Sequence, residues 1–291
     1  MKKSLLCFAF LGACVGAWAQ APAVKQVEVF GEKIQYVEAG AGPNVILLHG
    51  LGGDSSNWQF NVPALSSKYH VWALDQIGFG GSDKPFLNYR TGTLVDFLEG
   101  FCAKLSIDHA TVVGNSLGGW AAMAFTLAHP ERVTKLVLVD SAGYSFAQSS
   151  APAPTRDVML GLNPSTLAGA KAVLGVIFAH ESLVTDANAR MLFEKHLKNN
   201  DGYTINAFID SMLRGEDFLD GKLGGIKVPT LVLWGRADRL TPLASGEQFA
   251  KDIPGAQMTV FDGCGHVPQI ECAGPFNAAL LKFLGAESAS R

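Results

Sequence analysis

Charge is scarce in this chain. Of its 291 residues only 17% are Asp, Glu, Lys or Arg, and the net charge is −3. That balance gives no reason to expect nucleic acid or an anionic membrane surface as a partner. Long apolar runs are missing too. The stretch from Ser4 to Gly16 is apolar but too short to span a membrane. No glycine-rich loop ends in Lys-Ser or Lys-Thr, which excludes the common phosphate cradle. The seven histidines lack ligand spacing, so no metal and no organic cofactor is expected. No internal repeat is present. Cysteine is sparse, with five in all, of which Cys7 and Cys14 fall in the N-terminal stretch. Cys102, Cys264 and Cys272 remain, an odd number, so at least one stays unpaired or pairs between chains. Cys264 and Cys272 would bridge in an oxidising compartment. The simpler expectation is that they are small buried residues near a strand end.

Apolar residues make up 48% of the chain, enough to bury one large domain or a domain with an insertion. The first nineteen residues stand apart. Lys2-Lys3 is a positive start, Ser4 to Gly16 an apolar core, and Ala17-Trp18-Ala19 an A-x-A cleavage site. Residues 1–19 are therefore expected to be a signal peptide, with the mature chain starting at Gln20 in the periplasm or outside the cell. Cleavage would remove two lysines and no acids, taking the net charge from −3 to −5. Leu11-Gly12-Ala13-Cys14 also resembles a lipobox, which would instead leave a lipoprotein anchored through Cys14.

Beyond the leader, Val27–Phe30 and Ile34–Val37 alternate apolar with polar around Gly31-Glu32, the pattern of an edge hairpin. Short apolar strands follow at Val45–Leu48, Val71–Leu74, Ala110–Val113, Lys135–Val139, Thr230–Trp234 and Met258–Phe261. Helical patterns lie between them at Thr93–Leu105, Trp120–His129 and Ser245–Ile253, and Phe276–Leu284 closes the chain. Continuous apolar strands alternating with helices imply an α/β fold: a mostly parallel central sheet with helices on both faces. Residues 144–225 break the alternation. After a loop rich in Ser, Ala and Pro come helical patterns at Pro164–Ala179, Asp186–Lys198 and Thr204–Leu213, more apolar than a solvated insertion needs. The expected organisation is a core of residues 20–143 and 226–291 with a helical cap, 144–225, over the carboxyl edge of the sheet.

The chemistry centres on Gly114-Asn115-Ser116-Leu117-Gly118-Gly119. A strand runs into Gly-x-Ser-x-Gly and a helix leaves it. Such a sharp turn holds its middle residue in a strained backbone, and the small neighbours avoid clashes. Ser116 Oγ would stand clear of the sheet at the positive end of a helix, as a nucleophile. A serine hydroxyl needs a base, and the base needs a third group to orient it. His266, alone among glycines in Asp262-Gly263-Cys264-Gly265-His266, is the expected base. Asp238, in the loop after the Thr230–Trp234 strand, is the expected acid, with Asp140 at the end of the preceding strand as runner-up. Asp262 is too close to His266 on the same loop. His70, His109, His129, His180 and His196 read as surface or cap residues. Two backbone N–H groups should form an oxyanion hole, one from Leu117 and one from Leu51 in His49-Gly50-Leu51-Gly52-Gly53.

Together with Asp75-Gln76-Ile77-Gly78-Phe79-Gly80-Gly81-Ser82 and Trp234-Gly235-Arg236-Ala237-Asp238, these motifs make the chain resemble the α/β-hydrolase fold superfamily over nearly all of its mature length. The order Ser116, Asp238, His266 is that of a nucleophile-elbow hydrolase. Within it, Asn115, Cys264-Gly265-His266 and Phe276-Asn277 are similar to meta-cleavage-product hydrolases, which cleave carbon–carbon bonds in dienoic keto acids, and to capped carboxylesterases. The resemblance to carbon–carbon hydrolases implies a cap arginine for the substrate carboxylate. The corresponding stretch here is Lys198-Asn199-Asn200-Asp201, flanked by Arg190 and Arg214. An unpaired carboxylate in an apolar pocket is costly, whereas a neutral ester avoids that cost. The expectation is therefore an exported serine hydrolase of small to medium esters, acting through an acyl-enzyme. A carbon–carbon hydrolase is the alternative, and a non-catalytic ligand-binding member of the fold a remote one.

Overall fold

The computed structural model describes residues 22–148 and 154–286. The expected signal peptide and the lipobox at Cys14 lie outside the described residues, as do residues 149–153 of the Ser/Ala/Pro-rich loop.

Eight strands form one sheet: β1 (Ala23–Val29), β2 (Glu32–Ala39), β3 (Asn44–Leu48), β4 (His70–Leu74), β5 (Ala110–Asn115), β6 (Val133–Val139), β7 (Thr230–Gly235) and β8 (Gln257–Phe261). Their spatial order is β1-β2-β4-β3-β5-β6-β7-β8. β2 alone runs against the sheet, antiparallel to β1, as the alternating hairpin pattern predicts, and to β4, while β3 through β8 are parallel. The inner strands read as unbroken apolar runs because both their faces are covered.

Period-two alternation sorts their side chains between two cores. Ile46, Leu48, Val112, Leu136, Leu138, Val232 and Trp234 face one side. There they meet Leu94 and Leu98 of α2 (Thr91–Lys104), Trp120, Met123 and Phe125 of α3 (Leu117–Ala128), and Phe249 of a later helix, Leu243–Asp252. Val45, Leu47, Val113, Val137, Val139, Leu231 and Leu233 face the other side. They meet Val62 and Leu65 of α1 (Val62–Leu65) and Phe276, Leu280 and Phe283 of the final helix, Ala273–Gly285. Lys135 sits on β6 among these apolar residues. Its Nζ donates to the carbonyls of Phe283, Leu284 and Ala286 at 3.0, 2.9 and 2.6 Å. A cation there satisfies carbonyls that a helix C-terminus leaves without partners.

Between β6 and β7 the chain forms α4 (Arg156–Leu160), α5 (Leu167–Ile177), α6 (Asp186–Asn199) and α7 (Gly202–Leu213). The expected helix at Pro164–Ala179 is shorter at both ends. α4, whose five residues are too few to show a period, has no counterpart in the sequence reading. Thr155, Thr166 and Thr185 cap α4, α5 and α6 with their hydroxyls.

The cysteines correct an expectation. Cys264 and Cys272 are not merely small buried residues; they form a disulfide with Cα atoms 6.3 Å apart. Cys264 lies in the loop after β8 and Cys272 ends the short helix Pro268–Glu271, and the fold of that one loop onto the helix brings them together, which spacing alone does not determine. Cys102 is a buried free thiol whose pKa burial pushes up to about 12, leaving it an inert core residue.

Candidate active site

In a parallel sheet every strand's carboxyl end opens on the same edge, so loops far apart in sequence converge there. His49 follows β3, Asp75 follows β4, Ser116 follows β5, Asp140 follows β6, Asp238 lies three residues beyond β7 and His266 five beyond β8.

Ser116 takes φ 55 and ψ −118, a left-handed conformation that costs a non-glycine residue energy. The turn over-determines it. The Ser116 N–H donates to Val139 O at 2.9 Å, and the Ser116 carbonyl accepts from Gly119, Trp120 and Ala142. A Cβ at Gly114 would overlap the Gly118 backbone, and one at Gly118 would overlap the Leu48 carbonyl. Within residues 110–120 only Ser116 is not fully buried. It precedes the first residue of the twelve-residue α3, so the Leu117 N–H is among the free donors of a helix start.

The second expected donor loop lies beside it. A Cβ on Gly50 would stand 3.1 Å from Ser116 Cβ, so Leu51 is the next residue past the closest approach. His49 is fully buried and braces this loop. Its Nδ1 lies 2.7 Å from the Gly50 carbonyl and its Nε2 accepts from the Gln76 N–H at 3.0 Å, so the proton is on Nδ1. Burial lowers its pKa and keeps it neutral.

His266 is 4% exposed and its Nδ1 lies 2.8 Å from Asp238 Oδ2. Asp238 Oδ1 accepts from the Leu240 and Thr241 N–H groups at 2.7 and 3.0 Å, and Oδ2 also accepts from the Thr241 hydroxyl. Burial works to raise the Asp238 carboxyl. The His266 charge and these donors outweigh it and hold the carboxyl below its ordinary value. Asp140, the runner-up, bonds the Gly235 N–H instead. Asp262 is exposed and faces Arg236.

The histidine loop is anchored from several sides. Asn115 Nδ2 donates to His266 O, the His266 N–H donates to Ile177 O of α5, and Ala237 N–H donates to Cys264 O. Glu271, on the short helix Pro268–Glu271, has a side chain of 0% exposure. Its carboxylate accepts the N–H groups of Gly265, Ala179 and His180. The sequence reading missed Glu271 and Thr241. A single acid or hydroxyl carries no local signal of burial, and only the tertiary fold aims it at these amides.

The region between β6 and β7 borders this edge. Ile205 of α7 abuts Gly52, and Phe208 stacks on Phe79 at 5.8 Å. Lys195 pairs with Asp54 at 2.8 Å. Neither flanking arginine reaches the site. Arg190 is 65% exposed beside Glu194, and Arg214 pairs with Glu216. Lys198 is exposed.

Asp140, Asp238 and His266 offer ligand-type atoms within 4.8 Å of one another. A cation there would have to displace the His266 proton and the donors that already fill Asp238. What the arrangement supplies chemically is a hydroxyl on a tight turn, an oriented imidazole and, at Leu117, a free amide of a helix start.

Comparison with known proteins agrees with this geometry in kind and corrects the reaction. Proteins from Cupriavidus pinatubonensis and Paraburkholderia phymatum are 35% and 37% identical to this chain. Each alignment covers 87% of this chain and 91% of the relative. Both are named 2-hydroxy-6-oxononadienedioate/2-hydroxy-6-oxononatrienedioate hydrolases. A meta-cleavage product hydrolase structure matches with TM-score 0.79 at 31% identity, covering 89% of this chain and 97% of the other. A membrane phospholipase A described as a bacterial virulence factor matches with TM-score 0.80 at 30% identity, covering 90% and 86%.

The expectation of ester hydrolysis does not stand against the named relatives, whose reactions are those of the carbon–carbon hydrolase alternative. A substrate carboxylate does not need an arginine to receive it. Glu271 shows this in the same molecule, since three backbone N–H groups accommodate its buried carboxylate. Residues 45–279 match the model of the alpha/beta hydrolase family, and with the strand order and the serine turn they make this chain a member of it.

Proposed function

We propose that this protein hydrolyses a carbon–carbon bond in a 2-hydroxy-6-oxo-dienoic acid, a product of aromatic-ring meta-cleavage. The observation that carries the reading is similarity over 87% of the chain, at 35–37% identity, to relatives named for that activity. The chemistry suits the site. Breaking the bond beside a ketone requires a nucleophile on the carbonyl carbon, donors for its oxygen and a leaving carbon able to hold the electron pair. Conjugation to the 2-oxo acid end provides the last of these within the substrate. The protein has to provide only the first two.

In this reading Ser116 Oγ attacks the ketone carbon while His266, oriented by Asp238, takes its proton. The Leu51 and Leu117 N–H groups receive the oxyanion. The dienoic acid reacts as its 2-oxo tautomer, its enol proton having moved to the carbon beside the ketone. The carbon–carbon bond then breaks, its electron pair passes through the remaining double bond onto the 2-oxo group as a dienolate, and the dienolate oxygen takes the proton that His266 holds. Water, activated by His266, then releases the acyl group from Ser116 as a carboxylic acid. Helices α4 to α7 serve as a cap: the contacts of Ile205, Phe208 and Ile177 with the site loops support this role.

The test is to supply 2-hydroxy-6-oxo-6-phenylhexa-2,4-dienoate and a p-nitrophenyl ester side by side, following loss of the dienolate colour and release of benzoate. Faster turnover of the keto acid, abolished in Ser116→Ala, is expected. Absence of keto-acid cleavage would overturn the proposal.

A further inference from the structure

Asp140 is fully buried at the end of β6, with φ 42. That left-handed turn is held by its own backbone, whose N–H donates to Leu233 O. It carries its side chain inward. Oδ1 accepts the Gly235 N–H at 2.9 Å. Oδ2 is buried and, among the described residues, has no hydrogen-bond partner. Yet Asp140 and Asp238 offer oxygens within 4.8 Å of each other and of His266. Two carboxylates this close in a buried setting do not both ionise at neutral pH. Asp238 already holds two backbone N–H groups, a hydroxyl and the His266 Nδ1 proton, all of which favour its anion.

We propose that Asp140 is a neutral carboxylic acid whose O–H donates from Oδ2 to the Asp238 carboxylate, making it a positioning residue for the Asp238–His266 pair. The proposal rests on Asp238 being the acid of the proposed mechanism. A proton on Oδ2 gives the orphaned atom its partner and gives Asp238 a fifth donor. Burial first, and the Asp238 charge next, push the Asp140 carboxyl well above the usual range. The titratable groups that face it are Asp238 from the loop after β7, His266 from the loop after β8 and Glu271 from the helix behind that loop. A residue in this place is also a reserve acid. If Asp238 is neutralised, Asp140 can ionise beside His266.

Infrared spectroscopy of protein carrying ¹³C-labelled aspartate tests the proton directly. At pH 7 the wild type should show a label-sensitive carbonyl band of a protonated carboxyl, lost in Asp140→Asn. The rate at which an organophosphonate labels Ser116 reads the serine apparatus without depending on the natural substrate. Asp140→Asn, whose amide still donates to Asp238, should keep that rate within about tenfold of wild type and leave its acidic limb in place. Asp238→Asn should lower the rate by about 10⁴-fold, and adding Asp140→Asn should lower it at least about tenfold further. Absence of the protonated band in the wild type overturns the proposal even if the variants do not fold. So does a downward move of the acidic limb by about one pH unit in Asp140→Asn, the sign of a lost negative charge beside the imidazole. Failure to cleave the keto acid would count against the proposed function and leave the band unaffected.

Discussion

Asn115 Nδ2 donates to the carbonyl of His266 at 3.1 Å, and to that of Val139 at the same distance. One buried amide therefore ties the residue before the nucleophile to the base itself. Asn115→Ala should lower kcat/KM roughly 10- to 100-fold and stability by about 1–3 kcal/mol. Asn115→Asp cannot donate and should be worse. Steady-state kinetics with urea unfolding checks both; an Asn115→Asp enzyme of full activity would remove Asn115 from the positioning of His266.

Glu271 gathers amides from the His266 loop and from the turn after α5. Glu271→Gln keeps one acceptor oxygen but brings N–H donors against N–H donors. It should lose about 2–4 kcal/mol of stability and most of the activity, since the His266 loop loses its anchor. Thermal unfolding measured beside phosphonate labelling separates the two effects.

Asp54, in the loop after β3, meets Lys195 of α6. Burial tends to raise its carboxyl, but the Lys195 charge and hydrogen bond prevail and bring it down to about 2. The folded value lies below the unfolded one. Its stabilisation is therefore fully present above about pH 4 and is lost as pH falls towards 2. Lys195→Met should cost about 1–2 kcal/mol at pH 7, with the difference from wild type shrinking across that window. Urea midpoints of the two proteins at pH 7, 4 and 3 check the trend, and a constant gap would contradict it.

The leader remains a proposal from composition. Lys2-Lys3, the apolar stretch and Ala17-Trp18-Ala19 predict secreted protein whose intact mass begins at Gln20. A diacylglyceryl mass on Cys14 would show anchoring instead, and full-length mass would show no processing.

The sequence by itself determined the α/β architecture, because apolar runs alternate with helical patterns in a way that a two-sided parallel sheet requires. It also singled out Ser116, Asp238 and His266, because a sharp strand-to-helix turn and glycine-flanked strand ends have local chemical signatures. Local pattern could not choose between Asp238 and Asp140 by contact, since both lie just past the carboxyl end of a strand; the 2.8 Å approach of Asp238 to His266 exists only once the loops after β7 and β8 are packed together. The Cys264–Cys272 bond, the Glu271 clamp and the buried proton site at Asp140 depend in the same way on groups far apart or unpatterned in the chain. The reaction was the least legible feature. Ester and carbon–carbon hydrolysis use the same serine, base and amides, and they differ in the substrate's own electron sink and in how its carboxylate is received. Backbone amides can receive a carboxylate as well as arginine can, and an amide has no side chain for the sequence to reveal.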